Sequence, residues 1–175
     1  MKAVSNAGPL IALGKLGLIH LLHQLYRPLL VPKDVHQEVV ERGLELGQPD
    51  AYVVQIAVTR RELTVVTIDA EELLSESETS LHRGERAAIL LARRERADWV
   101  LLDDEVARRQ ALALGLHVKG TLGIIVDAHR RSLLHTDEVE WIFQLLLDRD
   151  DIWVSEPLVR HVRDLWRREV SSTAK

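Results

Sequence analysis

Apolar residues alternate along the chain between short solid runs and segments where they recur every third or fourth position. The runs predict five strands, at Lys2 to Ser5, Leu29 to Val31, Leu63 to Ile68, Trp99 to Leu102 and Leu116 to Val118. Trp99 to Leu102 carries no polar side chain, the mark of a strand buried on both faces of a parallel sheet. Helical spacing fills the intervals. Leu10, Leu13 and Leu16 and then Leu18 to Leu25 predict two short helices broken at Gly17. Pro32 opens a helix to about Arg42 that buries Val35, Val39 and Val40, with Glu38 near its middle. Further helices are predicted from Pro49 to about Arg60, from Gly84 to Arg96 through Ala87, Ala88, Leu91 and Ala92, and from Glu105 to Leu114, with Gly115 as its stop. Gly120-Thr121-Leu122-Gly123 starts another, to about Arg131, and Thr136 to Leu147 and Ser155 to Val170 read as amphipathic closing helices.

Strands alternating with helices predict an α/β fold with a doubly wound parallel sheet flanked by helices. The expected organisation is a single domain over residues 1–170 and a frayed tail over 171–175. Asp69 to Ser80, polar and acidic, reads as a helix end plus an exposed loop, and there is no internal repeat.

Composition narrows the chemistry. Apolar residues make up 46% but aromatics only 4%, so the core is built from Leu, Val, Ile and Ala. The absence of Cys removes disulfides, thiolate metal sites and Cys nucleophiles together, and leaves oxygen and imidazole ligands. It also fits a reducing cytoplasm, the expected location. Met1 to Asn6 is interrupted too soon to form a signal peptide, and no apolar run reaches bilayer length, so no membrane association is expected. A formal net charge of −4 disfavours general attraction to nucleic acid and requires local cations instead. Candidates are Arg83, Arg86, Arg93, Arg94 and Arg96, then Arg108, Arg109, Lys119, Arg130 and Arg131.

Oxygen-bearing side chains stand where predicted strands end. Asn6 follows the first strand, Asp103 and Asp104 follow a central one, Glu85 begins a helix, and Glu38 lies on another. In doubly wound sheets ligands bind at the carboxyl ends of strands, and hard cations such as Mg²⁺ and Mn²⁺ take oxygen ligands from separate elements. A site of this kind serves metal-assisted phosphoryl hydrolysis. Each residue also has a structural reading: Glu85 at a helix dipole, Asp104 as an N-cap, Glu38 as a solvated helix residue and Asn6 as a turn former. His20 and His23 read as helix-surface histidines, and Gly120 to Gly123 lacks the Lys and spacing of a P-loop.

Five segments in order carry a family resemblance: Val4 to Leu13, Val31 to Val39, His82 to Ile89, Leu101 to Arg108 and Lys119 to Gly123. They resemble PIN-domain proteins over roughly residues 1 to 133, and more closely the prokaryotic branch described as predicted nucleic-acid-binding proteins of uncharacterised function. The resemblance implies a crevice binding Mg²⁺ or Mn²⁺, cleavage of single-stranded RNA, and the toxin half of a toxin–antitoxin pair, with RNA substrate and an antitoxin-like protein as partners. It places Asn6 at the first acidic position, Glu38 at the second, Glu85 at the third, and Asp103 or Asp104 at the fourth. Adjacent residues of an extended strand point oppositely, so one of that pair faces the metal, and the reading favours Asp104 with Asp103 as alternate or supporting partner. Ser5 and Thr121 are expected to support the crevice. Asn6 departs from the pattern, because an amide oxygen coordinates a cation without adding negative charge. The competing expectation is a catalytically weak or inactive PIN-fold module that binds RNA or protein. A homodimer is also expected, with Trp141, Trp153 and Trp166 either buried among the closing helices or anchoring an interface.

Overall fold

The computed structural model describes residues 1–69 and 81–173. Five parallel strands, β1 (Ala3–Ser5), β2 (Leu29–Pro32), β3 (Thr64–Val66), β4 (Trp99–Leu101) and β5 (Val118–Lys119), form one sheet in the order β3-β2-β1-β4-β5. Every pairing is parallel, with Val4 opposite Leu30 on one side and Val100 on the other. The expected α/β architecture with a doubly wound parallel sheet is therefore present.

Alternation along the strands explains why both sheet faces are covered. Val4, Leu30 and Val100 share one cluster with Ala87, Ala88, Leu91 and Ala92 of helix α5 (Arg83–Arg94), which lies across β1, β2 and β4. Their neighbours Ala3, Leu29, Val31 and Leu101 point to the opposite face and are buried as well. Each such side chain contributes roughly 1.5–3 kcal/mol when withdrawn fully from water.

The remaining elements place the strand ends. Helices α1 (Ala7–Lys15) and α2 (Ile19–Leu25) follow β1, with Gly17 at φ 71° between them. Pro9 stands at the third helical residue, where its missing N–H has no intrahelical acceptor to leave unpaired. After β2 a continuous helical run, α3, comprises Lys33–His36, a π-helical stretch Gln37–Glu41 and Arg42–Glu45. It thus continues past Arg42, and Glu38 sits in the π stretch. α4 (Pro49–Thr59) packs on α1. α6 (Glu105–Ala113) joins β4 to β5 and stops before Gly115, at φ 76°. The last strand starts two residues later and ends one residue later than apolarity predicts, because β4 sets its register: Val100 N–H donates to His117 O and Leu102 N–H to Lys119 O. Most of the acidic stretch from Asp69 to Ser80 lies outside the described residues.

The chain divides into two compact units, Met1–Thr121 and Leu122–Lys175. The first holds the sheet. The second comprises most of α7 (Thr121–Arg130) with α8 (Thr136–Asp148) and α9 (Glu156–Thr173), so the final helix includes residues 171–173 of the expected frayed tail. Its core closes on Trp166, whose ring lies 5.7 Å from Phe143 and 5.3 Å, edge-on, from His129. Trp166 Nε1 donates to His129 Nδ1, which leaves the proton of a neutral ring on Nε2 to donate to Thr136 Oγ1. Trp141 and Trp153, by contrast, are 62% and 93% exposed.

Candidate functional site

β1 and β4 are neighbours whose connections leave in opposite directions, β1 toward β2 and β4 toward β5. Their carboxyl ends flank the point where strand order reverses, the place where doubly wound sheets bind ligands. Asn6 follows β1 there, its N–H donating to Leu101 O at 3.0 Å, and Asp103 and Asp104 leave β4 beside it.

Asn6 is 7% exposed, and its Oδ1 is buried with no hydrogen-bond partner among the described residues. A buried amide oxygen left in this state costs about 1–3 kcal/mol unless something else meets it. Gly84 shows what lies nearby. A Cβ at position 84 would fall 3.2 Å from Glu38 Oε2, 3.4 Å from Val35 Cγ2 and 3.5 Å from Asn6 Oδ1. The missing side chain thus keeps open the space between β1, α3 and the start of α5 into which both oxygens face.

Glu85 is buried in the first turn of α5, where His82 N–H donates to its Oε2 at 2.9 Å. Burial raises its carboxyl pKa, the His82 hydrogen bond opposes the shift, and the charges of Asp104 and Glu38 raise it further. Glu85 therefore feels the charges of both Asp104 and Glu38 across one crevice. Asp104 also caps α6 by accepting Ala107 N–H at 2.8 Å on Oδ1, the structural role expected of it.

Asp103 has other partners. Its Oδ1 accepts Thr121 N–H and its Oδ2 accepts Thr121 Oγ1–H, both at 2.7 Å. Burial raises its pKa, against the Thr121 hydrogen bonds and the Arg108 charge. Two glycines make room for this clasp: a Cβ on Gly8 would lie 3.2 Å from Asp103 Cβ, and one on Gly120 only 2.8 Å from Asp103 Oδ1. Arg108 completes it by donating to Leu102 O at 2.8 Å. Ser5, fully buried, donates to Asn6 O at 3.0 Å and so steadies the turn that carries Asn6.

The donor set fits a hard divalent cation in its chemistry: the Glu85 carboxylate with those of Asp104 and Glu38 acting on it, and a buried amide oxygen with no hydrogen-bond partner among the described residues. Among the described residues no three His, Asp or Glu side chains stand close enough together to hold one ion as placed. Glu38 and Asp104 are exposed and have room to turn toward an ion.

A family model described as a PIN domain matches residues 2–168. The chain belongs to the PIN-domain family. No curated protein and no solved structure matches it. PIN domains are a nuclease-type family and are generally dependent on divalent metal. This PIN domain has no helix, among its described residues, long and apolar enough to cross a membrane.

Some residues of the crevice escaped sequence reasoning. A cleft of about 430 Å³ beside Glu38 is lined by Asp34, Gln37, Arg42, His82, Arg83 and Gly84. Gly84 had a signal, a glycine at a helix start where a better helix former is the usual choice. Arg42 had none, since one arginine on a polar helix face is ordinary. Several of the predicted basic candidates are tied up instead. Arg83 pairs with Asp34, Arg109 with Glu105 and Arg130 with Glu169, while Lys119 lies over the Trp99 ring. His20 is exposed and His23 half-buried, as expected of helix-surface histidines.

Proposed function

We propose that this PIN domain is a Mg²⁺- or Mn²⁺-dependent ribonuclease that hydrolyses phosphodiester bonds of single-stranded RNA, as the toxin of a toxin–antitoxin pair. The observation that carries the reading is Asn6 Oδ1, buried and unpartnered, facing the same space as Glu38 beside Gly84. Glu38, Glu85 and Asp104 would hold the cation with Asn6 as a neutral fourth ligand, and the bound ion would supply an activated water and charge stabilisation for in-line displacement. The residues of the chain prepare that site. His82 N–H fixes Glu85 through Oε2 and leaves Oε1 without a hydrogen-bond partner among the described residues. The Asp103–Thr121 clasp fixes the end of β4 and thereby the backbone from which Asp104 projects. Asp103 is the supporting partner in this reading.

The test is cleavage of single-stranded RNA by purified protein with Mn²⁺. Glu85→Ala should lower the rate by at least a hundredfold, and equal cleavage by wild type and variant overturns the assignment.

A second reading is favoured by the neutral charge of Asn6 and by the spacing of the acidic side chains: a PIN-fold module that binds RNA or protein without cutting. It predicts RNA binding with no cleavage at any Mn²⁺ concentration. Partners follow from the same proposal. An antitoxin-like protein would cover the toxin, and exposed Trp141 and Trp153 support a homodimer. A cytoplasmic location belongs to the same proposal, supported by the RNA substrate that it assigns.

A further inference from the structure

The cleft beside Glu38 holds an exposed cation, Arg42, with no partner among the described residues. We infer that it is the seat of a phosphate flanking the scissile bond and that Arg42 is the positioning residue that grips it, an inference that rests on the ribonuclease reading above.

Glu38 belongs to both places. Its Oε2 approaches Gly84 in the crevice, and its side chain lines the cleft, so the two spaces are continuous. Arg42 is four residues further along the same helical run and therefore on the same face. The other arginine of the cleft wall is engaged: Arg83 donates to Asp34. Arg42 is exposed, and its guanidinium makes no hydrogen bond or ion pair among the described residues. At about 430 Å³ the cleft is within the size range of small-ligand sites, roughly 300–1,000 Å³.

Charge makes such a residue necessary. The chain carries a formal net charge of −4, and the crevice gathers the Glu85 carboxylate with those of Glu38 and Asp104 that act on it, so an approaching strand meets a repulsive field. A bound cation offsets that field only at the scissile phosphate. The next phosphate needs a positive group of its own. A guanidinium suits this task, because its planar fork donates to two phosphate oxygens at once and its charge survives any accessible pH.

The experiment uses the full chain and a fluorescein-labelled oligouridylate of about 12 nucleotides. Anisotropy across a salt series, on a Glu85→Gln background that does not cut, gives affinity and salt slope. Arg42→Ala should reduce the slope of log K against log salt by about 0.7, equivalent to about fivefold in affinity at 0.1 M salt relative to 1 M. Arg42→Lys should restore the slope and only part of the affinity, since it keeps the charge without the fork. With Glu85 intact, Arg42→Ala should raise KM about fivefold and leave kcat within twofold, because the contact is present before and during the reaction. Unchanged affinity, slope and KM in Arg42→Ala overturns the inference. Absence of cleavage by wild type would overturn the ribonuclease reading alone, since the binding series does not depend on turnover. Arg42 is a surface residue, so a circular dichroism melt matching wild type shows that the variant folds.

Discussion

At position 6 an amide shares the space at Gly84 with the Glu38 carboxylate, and its consequences follow from charge. Asn6 adds no charge to the crevice to which Glu38, Glu85 and Asp104 belong, so its Oδ1 stays buried there without a counter-ion among the described residues. Asn6→Asp puts a fourth negative charge into that space. In metal-free buffer the variant should lose roughly 2 kcal/mol of stability, the cost of a buried charge without a partner. Mn²⁺ should then raise its Tm more than it raises that of wild type, because a ligand stabilises in proportion to its affinity for the folded state. Identical melting curves for both proteins, with and without Mn²⁺, would show that position 6 does not face the ion. The pair that sequence left open, Asp103 and Asp104, divides by partner: Asp103 gives both oxygens to Thr121, and Asp104 keeps one beyond its helix cap. No local pattern distinguishes two adjacent aspartates, since the distinction depends on a threonine 18 positions away.

Among the elements, the π-helical stretch Gln37–Glu41 is the least legible in sequence, having no composition of its own, although such insertions occur often at functional sites. The pairing of α8 with α9 is another. The spacing of each helix predicts an apolar face, but only the fold brings Glu140 between Arg163 and Arg167. The Arg167 hydrogen bond, supported by that of Arg163 and opposed by partial burial, holds the Glu140 carboxyl below its ordinary value of 4.5. A carboxyl lowered in the folded state stabilises above its ordinary pKa, and that contribution is lost as the pH falls through the lowered value. The denaturation midpoint of the full chain should therefore drop on acidification below pH of about 5, and Glu140→Gln should flatten that part of the profile. The effect should be small and weaken with salt, because these side chains are partly exposed. An unaltered profile in Glu140→Gln would remove the ion pairs from the stability of the helical unit.

For the molecule as a whole, the proposed association rests on apolar surface rather than on net charge. Trp141, Trp153, Leu158 and Leu165 are all at least half exposed, and all belong to the unit that follows Thr121. Large exposed aromatics of this kind mark association surfaces more often than solvent-facing ones. The proposed homodimer predicts a light-scattering mass of twice the 19.9 kDa chain, and Trp153→Ser should shift it toward the monomer. A monomer at high micromolar concentration in the unaltered protein would rule the dimer out.

Sequence alone determined the architecture. Apolar runs alternating with helical spacing are local signals repeated along the chain, and burial on both faces requires those runs to form a parallel sheet with helices on either side. Sequence also pointed to the oxygen-bearing candidates Asn6, Glu85, Asp103 and Asp104, because strand ends and helix starts are marked by turn residues, and to Glu38 within a helix. Tertiary structure decided what each donor does. It exposed Trp141 and Trp153 while burying Trp166, turned Asp103 toward Thr121, left Asn6 Oδ1 without a partner and opened a cleft at Arg42. These outcomes depend on contacts between residues far apart in the chain, and electrostatic and hydrogen-bond energies are set by such distances rather than by sequence neighbours.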